Sequence, residues 1–188
     1  AGIGSRTQCD PDLLVSHPSN PLTAGAMDGH KTGKFYGETH GQYVATLLAV
    51  GEKLGIDFNV PYSALDERAR HIAMYGCGNA EFEVKWSFKR GSIEGVHSLK
   101  RDWPGFSALV NEEYARKHAD ARGQAMLNLM KTEKCPSCHG YRLKPELLQY
   151  RLGNMHIGEL TALSAEEALD WFENHFSKLF HDQLEIKV

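Results

Sequence analysis

The 188-residue sequence predicts an α+β fold, with helices packed on a small antiparallel sheet and a cysteine knuckle that leads into a short hairpin and a helix. Three observations predict it. Apolar residues recur at helical spacing over residues 39–54 and again ahead of Gly76. The period then changes to strict alternation through Phe82, Val84, Trp86 and Phe88, which marks a strand with one face in a core. Finally, Cys135-Pro136-Ser137-Cys138 brings two thiols to a tight bend, which is half of a tetrahedral zinc site.

Taken in order, residues 5–37 are rich in Gly, Pro, Ser and Asn without sustained periodicity, so residues 1–37 are expected to form an extended connector arm. A lobe over residues 38–134 follows. Its first helix runs from Thr39 to Leu54 on Tyr43, Val44, Leu47, Leu48 and Leu54, with Gly55 placed to stop it. A second helix begins near Pro61 and Ser63, with Asp66 three residues after Ser63 in the manner of a capping box. It packs through Leu65, Ala69, Ile72 and Ala73 and ends at Gly76. Residues 81–89 form the alternating strand, Gly91-Ser92 a turn, and residues 93–101 a returning strand. Phe106 to Met130 reads as a helix broken near Gly123, with Leu109, Val110, Tyr114, Leu127 and Met130 facing inward.

Residues 135–188 form the third segment. After the knuckle, Leu148, Tyr150 and Leu152 alternate, Gly153-Asn154 turns the chain, and Met155-His156-Ile157 pairs back. Ser164 and Glu167 form a capping box for a last helix. Its stripe of Leu169, Phe172, Phe176 and Leu179 is broadened by Trp171 and Phe180.

With 41% hydrophobic and 24% charged residues, the chain can bury one medium core with a smaller subdomain attached. The longest largely apolar run, Val44 to Val50, is far too short to span a bilayer, so no membrane partner is expected. Free cysteines and a thiolate knuckle fit a reducing cytoplasm. The net charge of −3 disfavours nucleic acid, but its distribution does not: residues 62–134 hold 12 basic and 10 acidic side chains, whereas both flanking segments are net acidic. Within that basic third, Lys85, Lys89, Arg90, Lys100 and Arg101 cluster with His97 and are the candidate DNA-binding residues. A solvated sheet face is the alternative.

Chemical motifs are few. The sequence has no Gly-x-Ser-x-Gly, no Gly-x-x-x-x-Gly-Lys-Ser/Thr phosphate loop and no His-x-x-x-His pair, so catalysis by this chain is not expected. Cys135 and Cys138 are the candidate zinc ligands; a redox dithiol or two unpaired thiols are the alternatives. Pro145 and the alternating strand after it argue against the strand-helix setting of a redox motif. Only Cys9 and Cys77 remain, and they form no second pair. His139 directly follows a thiol, which makes joint chelation awkward.

The run Cys135-Pro136-Ser137-Cys138-His139-Gly140-Tyr141-Arg142-Leu143-Lys144-Pro145, with Gly153-Asn154-Met155-His156-Ile157-Gly158-Glu159-Leu160, resembles the UvrA family, the damage-recognition ATPases of the excinuclease complex in nucleotide excision repair. Upstream, Asp10-Pro11-Asp12-Leu13-Leu14, Lys34-Phe35-Tyr36, Pro61-Tyr62-Ser63-Ala64-Leu65, Tyr75-Gly76-Cys77-Gly78 and Trp103-Pro104-Gly105 occur in that family's order. The resemblance implies a piece of the first ATPase half: the insertion domain that projects towards double-stranded DNA, and one side of a zinc knuckle whose other cysteine pair lies upstream. It also implies a parent that binds ATP and assembles with UvrB-like and second UvrA-like subunits. The chain departs from the family pattern at Asn111-Glu112-Glu113-Tyr114, where an Arg-Arg-Tyr type sequence is usual. That departure shifts the expected DNA-facing surface to the strand pair at 81–101.

Overall fold

Helix boundaries follow capping chemistry. In the computed structural model, which describes residues 2–90 and 93–176, α3 spans Gln42–Leu54 and ends at Gly55 with a left-handed φ of 69°. Helix α4, Glu67–Tyr75, starts at Asp66, whose carboxylate accepts from the Ala69 N–H at 2.7 Å. The expected Ser63 capping box is therefore corrected: Ser63 lies in a separate 3-10 turn, Tyr62–Ala64, and Asp66 is itself the cap. At the other end, Gly76 has a φ of 83°, and a Cβ there would collide with the Trp103 carbonyl. Only glycine allows that approach.

The chain divides into two compact units, residues 8–131 and residues 1–7 with 132–188. The larger contains α1 (Pro11–Leu14), α2 (Lys31–Tyr36), α3, α4, strands β2 (Phe82–Arg90) and β3 (Ile93–Arg101), α5 (Phe106–Lys117) and α6 (Ala121–Met126). Its core includes Leu14, Leu22, Met27, Leu47, Phe58, Phe82, Trp103 and Phe106. The Trp103 indole N–H donates to the Ile72 carbonyl at 2.8 Å, and its ring meets Phe106 edge-on.

The connector reading of residues 1–37 is overturned within this unit. Helices α1 and α2 form there, and Leu14, Leu22, Ala26, Met27 and Tyr36 are buried. Gly and Pro set the backbone turns between these residues, but turn content does not decide whether the side chains carried between turns reach a core. The long helix also differs. It breaks at His118–Asp120 rather than at Gly123, because the Asp120 carboxylate accepts from the Arg122 and Gly123 N–H groups and starts α6. Leu127 is exposed, Met126 and Leu129 take the buried positions, and Met130 opens β4 (Met130–Lys134).

Strands β2 and β3 pair antiparallel from Phe82↔Arg101 to Arg90↔Ile93. The turn expected at Gly91-Ser92 lies outside the described residues. Strand β1 (Ser5–Cys9) pairs with β4.

In the smaller unit, residues 145–149 form a 3-10 turn rather than the start of a strand. The hairpin is two residues long on each side, β5 (Arg151–Leu152) with β6 (Met155–His156). Ile157, expected as strand, opens α7 (Ile157–Leu160) instead, because His156 caps it: Nδ1 accepts from the Glu159 N–H at 3.1 Å, and the Glu159 carboxylate accepts from the His156 N–H at 2.8 Å. The Ser164 and Glu167 capping box forms as expected at the head of α8 (Ala165–Trp171). Trp171 is buried, but Leu169 and Phe172 are exposed, so the expected apolar stripe is turned outward there. Leu179, Phe180 and the Phe176 side chain fall outside the described residues.

Candidate nucleic-acid interface

Opposed residues of an antiparallel pair project to the same side. The register therefore places Glu83, Lys85, Ser98 and Lys100 on one face of the hairpin, and Phe82, Val84, Trp86, His97, Leu99 and Arg101 on the other. The five candidate DNA-binding residues do not form one cluster. Lys85 and Lys100 line a shallow outward depression of about 250 Å³ with Glu83 and Ser98. Arg101 stands on the opposite face, its guanidinium 5.4 Å from the Tyr43 ring and its Nη1 3.4 Å from the Gln42 Oε1. Lys89 and Arg90 are paired in register with Glu94 and Ile93, and their side chains lie outside the described residues.

Lys100 reaches Glu83 at 3.6 Å with both side chains largely exposed. Such a pair is worth no more than about 1 kcal/mol and is screened by salt, so a phosphate can displace the carboxylate.

Trp86 is not the core residue that alternation implies. Phe82 and Val84 are 2% and 1% exposed, whereas Trp86 is half-buried. Its indole N–H donates to the His40 carbonyl at 2.8 Å, and its ring stacks on His97 with centroids 5.6 Å apart. Alternation assigns a face; it does not say how far along the strand the core reaches.

Of the two acidic residues on α5, Glu112 is exposed and Glu113 points inward. Glu113 is 5% exposed. It accepts from the Tyr36 hydroxyl at 3.0 Å and pairs with Arg122, while the Leu109 carbonyl lies 3.2 Å from the same hydroxyl. Burial, and then the Glu113 carboxylate, push the Tyr36 phenol well above its ordinary value. Asn111 accepts from the Cys9 N–H at 2.6 Å. Two of these four residues thus serve the interior. Residues 36, 113 and 122 share no sequence period, so nothing in the sequence announces this network.

The knuckle is a tight turn. The Cys135 carbonyl accepts from the His139 N–H at 2.7 Å and the Cys138 carbonyl from the Tyr141 N–H at 2.8 Å, while His139, Gly140 and Arg142 all have positive φ. Backbone N–H groups of Cys138 and Ser137 hold the Cys135 thiol below its ordinary value. Burial instead pushes Cys9 up to about 12 and raises Cys77. Among the described residues, no group of three or more His, Cys, Asp or Glu side chains is arranged to hold a metal. The donor chemistry at Cys135 and Cys138 suits zinc but supplies two ligands of four.

Residues 10–126 match the UvrA DNA-binding domain family. The chain belongs to the UvrA family. It is 31% identical over its whole length to the UvrABC system protein A of Agrobacterium fabrum (strain C58), and 29% identical over 98% of its length to that of Brucella abortus (strain 2308). It spans 18% of each of those proteins. The crystal structure of UvrA2 from Deinococcus radiodurans matches 91% of this UvrA-family chain, and 21% of its own, with a TM-score of 0.60 at 20% identity, a likeness of fold. No helix among the described residues is long and apolar enough to cross a membrane.

Proposed function

We propose that this chain is a non-catalytic, DNA-contacting part of a UvrA-like ABC ATPase that recognises damaged DNA in nucleotide excision repair. One observation carries the reading: the family match over residues 10–126 includes the hairpin that turns Lys85 and Lys100 outward. Two cations on a strand face suit duplex phosphates, contacts that position a protein on DNA without reading sequence. Lys89 and Arg90 would extend the contact, whereas Arg101 stands on the opposite face. Damage is then sensed through the altered shape and stiffness of the duplex. ATP binding and hydrolysis, and contacts with UvrB-like and second UvrA-like subunits, belong to the remainder of a longer parent in a cytoplasmic setting.

Zinc fits the same reading. Cys135 and Cys138 supply two thiolates, and the Gly4 carbonyl accepts from the Cys135 N–H at 3.0 Å, so chain preceding Gly4 begins beside the knuckle. A second cysteine pair there would close the site and tie the two chain segments together. Metal analysis tests this: the 188-residue chain should hold zinc below one per chain and reach one only when an upstream pair is restored. A tight single zinc in the chain alone would place the missing ligands elsewhere.

A protein-interaction or structural lobe is the second reading, favoured by Glu83 beside Lys100. A salt titration separates the two. Affinity for duplex DNA should fall steeply with salt, and Lys85→Glu with Lys100→Glu should weaken binding at every sequence and flatten the salt slope. No DNA binding even at low salt would select the second reading.

A further inference from the structure

Beside the buried Phe82 and Val84, the inner face of the hairpin carries the half-buried Trp86 and Leu99 together with His97 and Arg101. Phe35 is 52% exposed and meets Tyr43 edge-on with centroids 6.0 Å apart. The Arg101 guanidinium lies over the Tyr43 ring, 5.4 Å from its centroid. Four residues earlier on the same face of β3, about 13 Å along the strand, exposed His97 stacks on Trp86. Trp86 is tied to the His40 carbonyl, and Gln42, two residues on, holds Arg101.

A single exposed aromatic is ordinary on a protein surface. Here, though, Phe35, Tyr43 and the Arg101 guanidinium lie together beside the inner face, the Trp86–His97 stack follows beyond Leu99, and hydrogen bonds to His40 and Gln42 hold Trp86 and Arg101 in place. Fixed π faces beside a cation with spare donors complement a flat ring joined to a phosphate, which is a nucleotide. In a paired duplex both faces of each base are covered by its neighbours. Only a base that has left the stack can lie on such a surface.

We propose that this strip binds an unstacked nucleotide, with the base against Phe35 or His97 and a phosphate of the same strand against Arg101. The inference rests on the DNA-contact reading and deepens it. Lys85 and Lys100, on the opposite face, hold duplex phosphates of any shape, whereas the inner strip responds only where pairing or stacking has been lost. The hairpin then both holds DNA and registers its distortion.

Fluorescence anisotropy with the 188-residue chain tests it, using two labelled duplexes of equal length, one fully paired and one with a central unpaired bubble. The chain should bind the bubble about fivefold or more tightly than the paired duplex, the scale set by one stacked base. Phe35→Ala, alone and with His97→Ala, should lower that preference, and the double change should abolish it, with paired-duplex affinity held within about twofold. Phe35→Tyr, which keeps the ring, should retain the preference, and Lys85→Glu with Lys100→Glu should weaken both probes alike. Circular dichroism checks that each variant folds. Equal binding of the two probes by the unaltered chain, or a preference that survives the double change, overturns the proposal while duplex binding stands. Loss of binding to both probes at low salt overturns the DNA-contact reading with it. A chain that dimerises in sedimentation and becomes monomeric with Phe35→Ala would make the strip an interface between copies, which also overturns the proposal.

Discussion

Replacing Arg122 with glutamine leaves the Glu113 carboxylate inside the lobe without its cation. Removing one partner of a fully buried ion pair costs about 3–5 kcal/mol. Two features of this site reduce the cost. The Arg122 side chain is 54% exposed, so water already screens its side of the pair, and the Tyr36 hydroxyl still donates to the carboxylate. The expected loss is about 2 kcal/mol. Glu113→Gln discards the charge but keeps an acceptor for Tyr36, so it should cost about 1–2 kcal/mol. The double variant should be less destabilised than the two singles added together, by about 1 kcal/mol of coupling. Urea unfolding measures all three: with a slope of about 2 kcal/mol per molar, Arg122→Gln should move the midpoint by about 1 M. Single effects that add to within about 0.5 kcal/mol would show that the two side chains do not act as a pair. A sharper refutation is available from Glu113→Arg, which restores the charge sign usual in the family at this helix. Burying that cation next to Arg122 should prevent folding; a stable Glu113→Arg chain with stronger DNA binding would mean that the carboxylate faces outward.

Three further outcomes follow from local geometry. Phe82→Ala, in the core, should cost about 3–5 kcal/mol, whereas Trp86→Ala should cost about 1–2 kcal/mol, the worth of a half-buried ring and one hydrogen bond; equal losses in thermal melts would return Trp86 to the core. Asp66→Ala should cost about 1 kcal/mol while Ser63→Ala is near neutral, and comparable losses would reinstate the Ser63 box. The Gly123 N–H, followed by that of Arg122, holds the Asp120 carboxyl below its ordinary value of 3.8. Its stabilisation is therefore complete above that value and is lost as pH falls through the lower folded value. Asp120→Asn should flatten the acid limb of the stability profile, and an unchanged limb would deny the cap its charge.

Many signals confined to a few adjacent residues were legible, although Asp66, Asp120 and His156 cap helices where the sequence reading placed no cap, and signals that depend on distant partners were not. Gly55, Gly76 and the Ser164 to Glu167 box end or start helices through contacts within one turn, so their sequence readings match the structure. The Phe82 to Trp86 alternation likewise assigned the two faces of β2 correctly. In the first 37 residues, Leu14, Leu22 and Met27 are spaced irregularly between turns, and only tertiary packing reveals that they are buried. At the candidate site, sequence proximity grouped Lys100 with Arg101, although adjacent strand positions point to opposite faces. Phe35 and Tyr43 went unremarked as surface groups because their connection to Arg101 spans more than fifty residues.

The division of the hairpin into two faces matters most for how recognition responds to conditions. On the proposed reading, phosphate contacts through Lys85 and Lys100 would gain from counterion release and weaken as salt rises. The proposed stacking on Phe35 or His97 would displace no counterions, so it would persist when the outer face has let go. On that reading, attraction to any duplex and preference for a distorted one would be separable, and on the hairpin the backbone register keeps them apart by setting Trp86 opposite His97 and Lys100 opposite Glu83. A one-residue slip in that register would exchange the faces and merge the two functions. Phe82 and Val84 resist such a slip, because moving them to the solvent side would expose two of the most deeply buried side chains of the lobe.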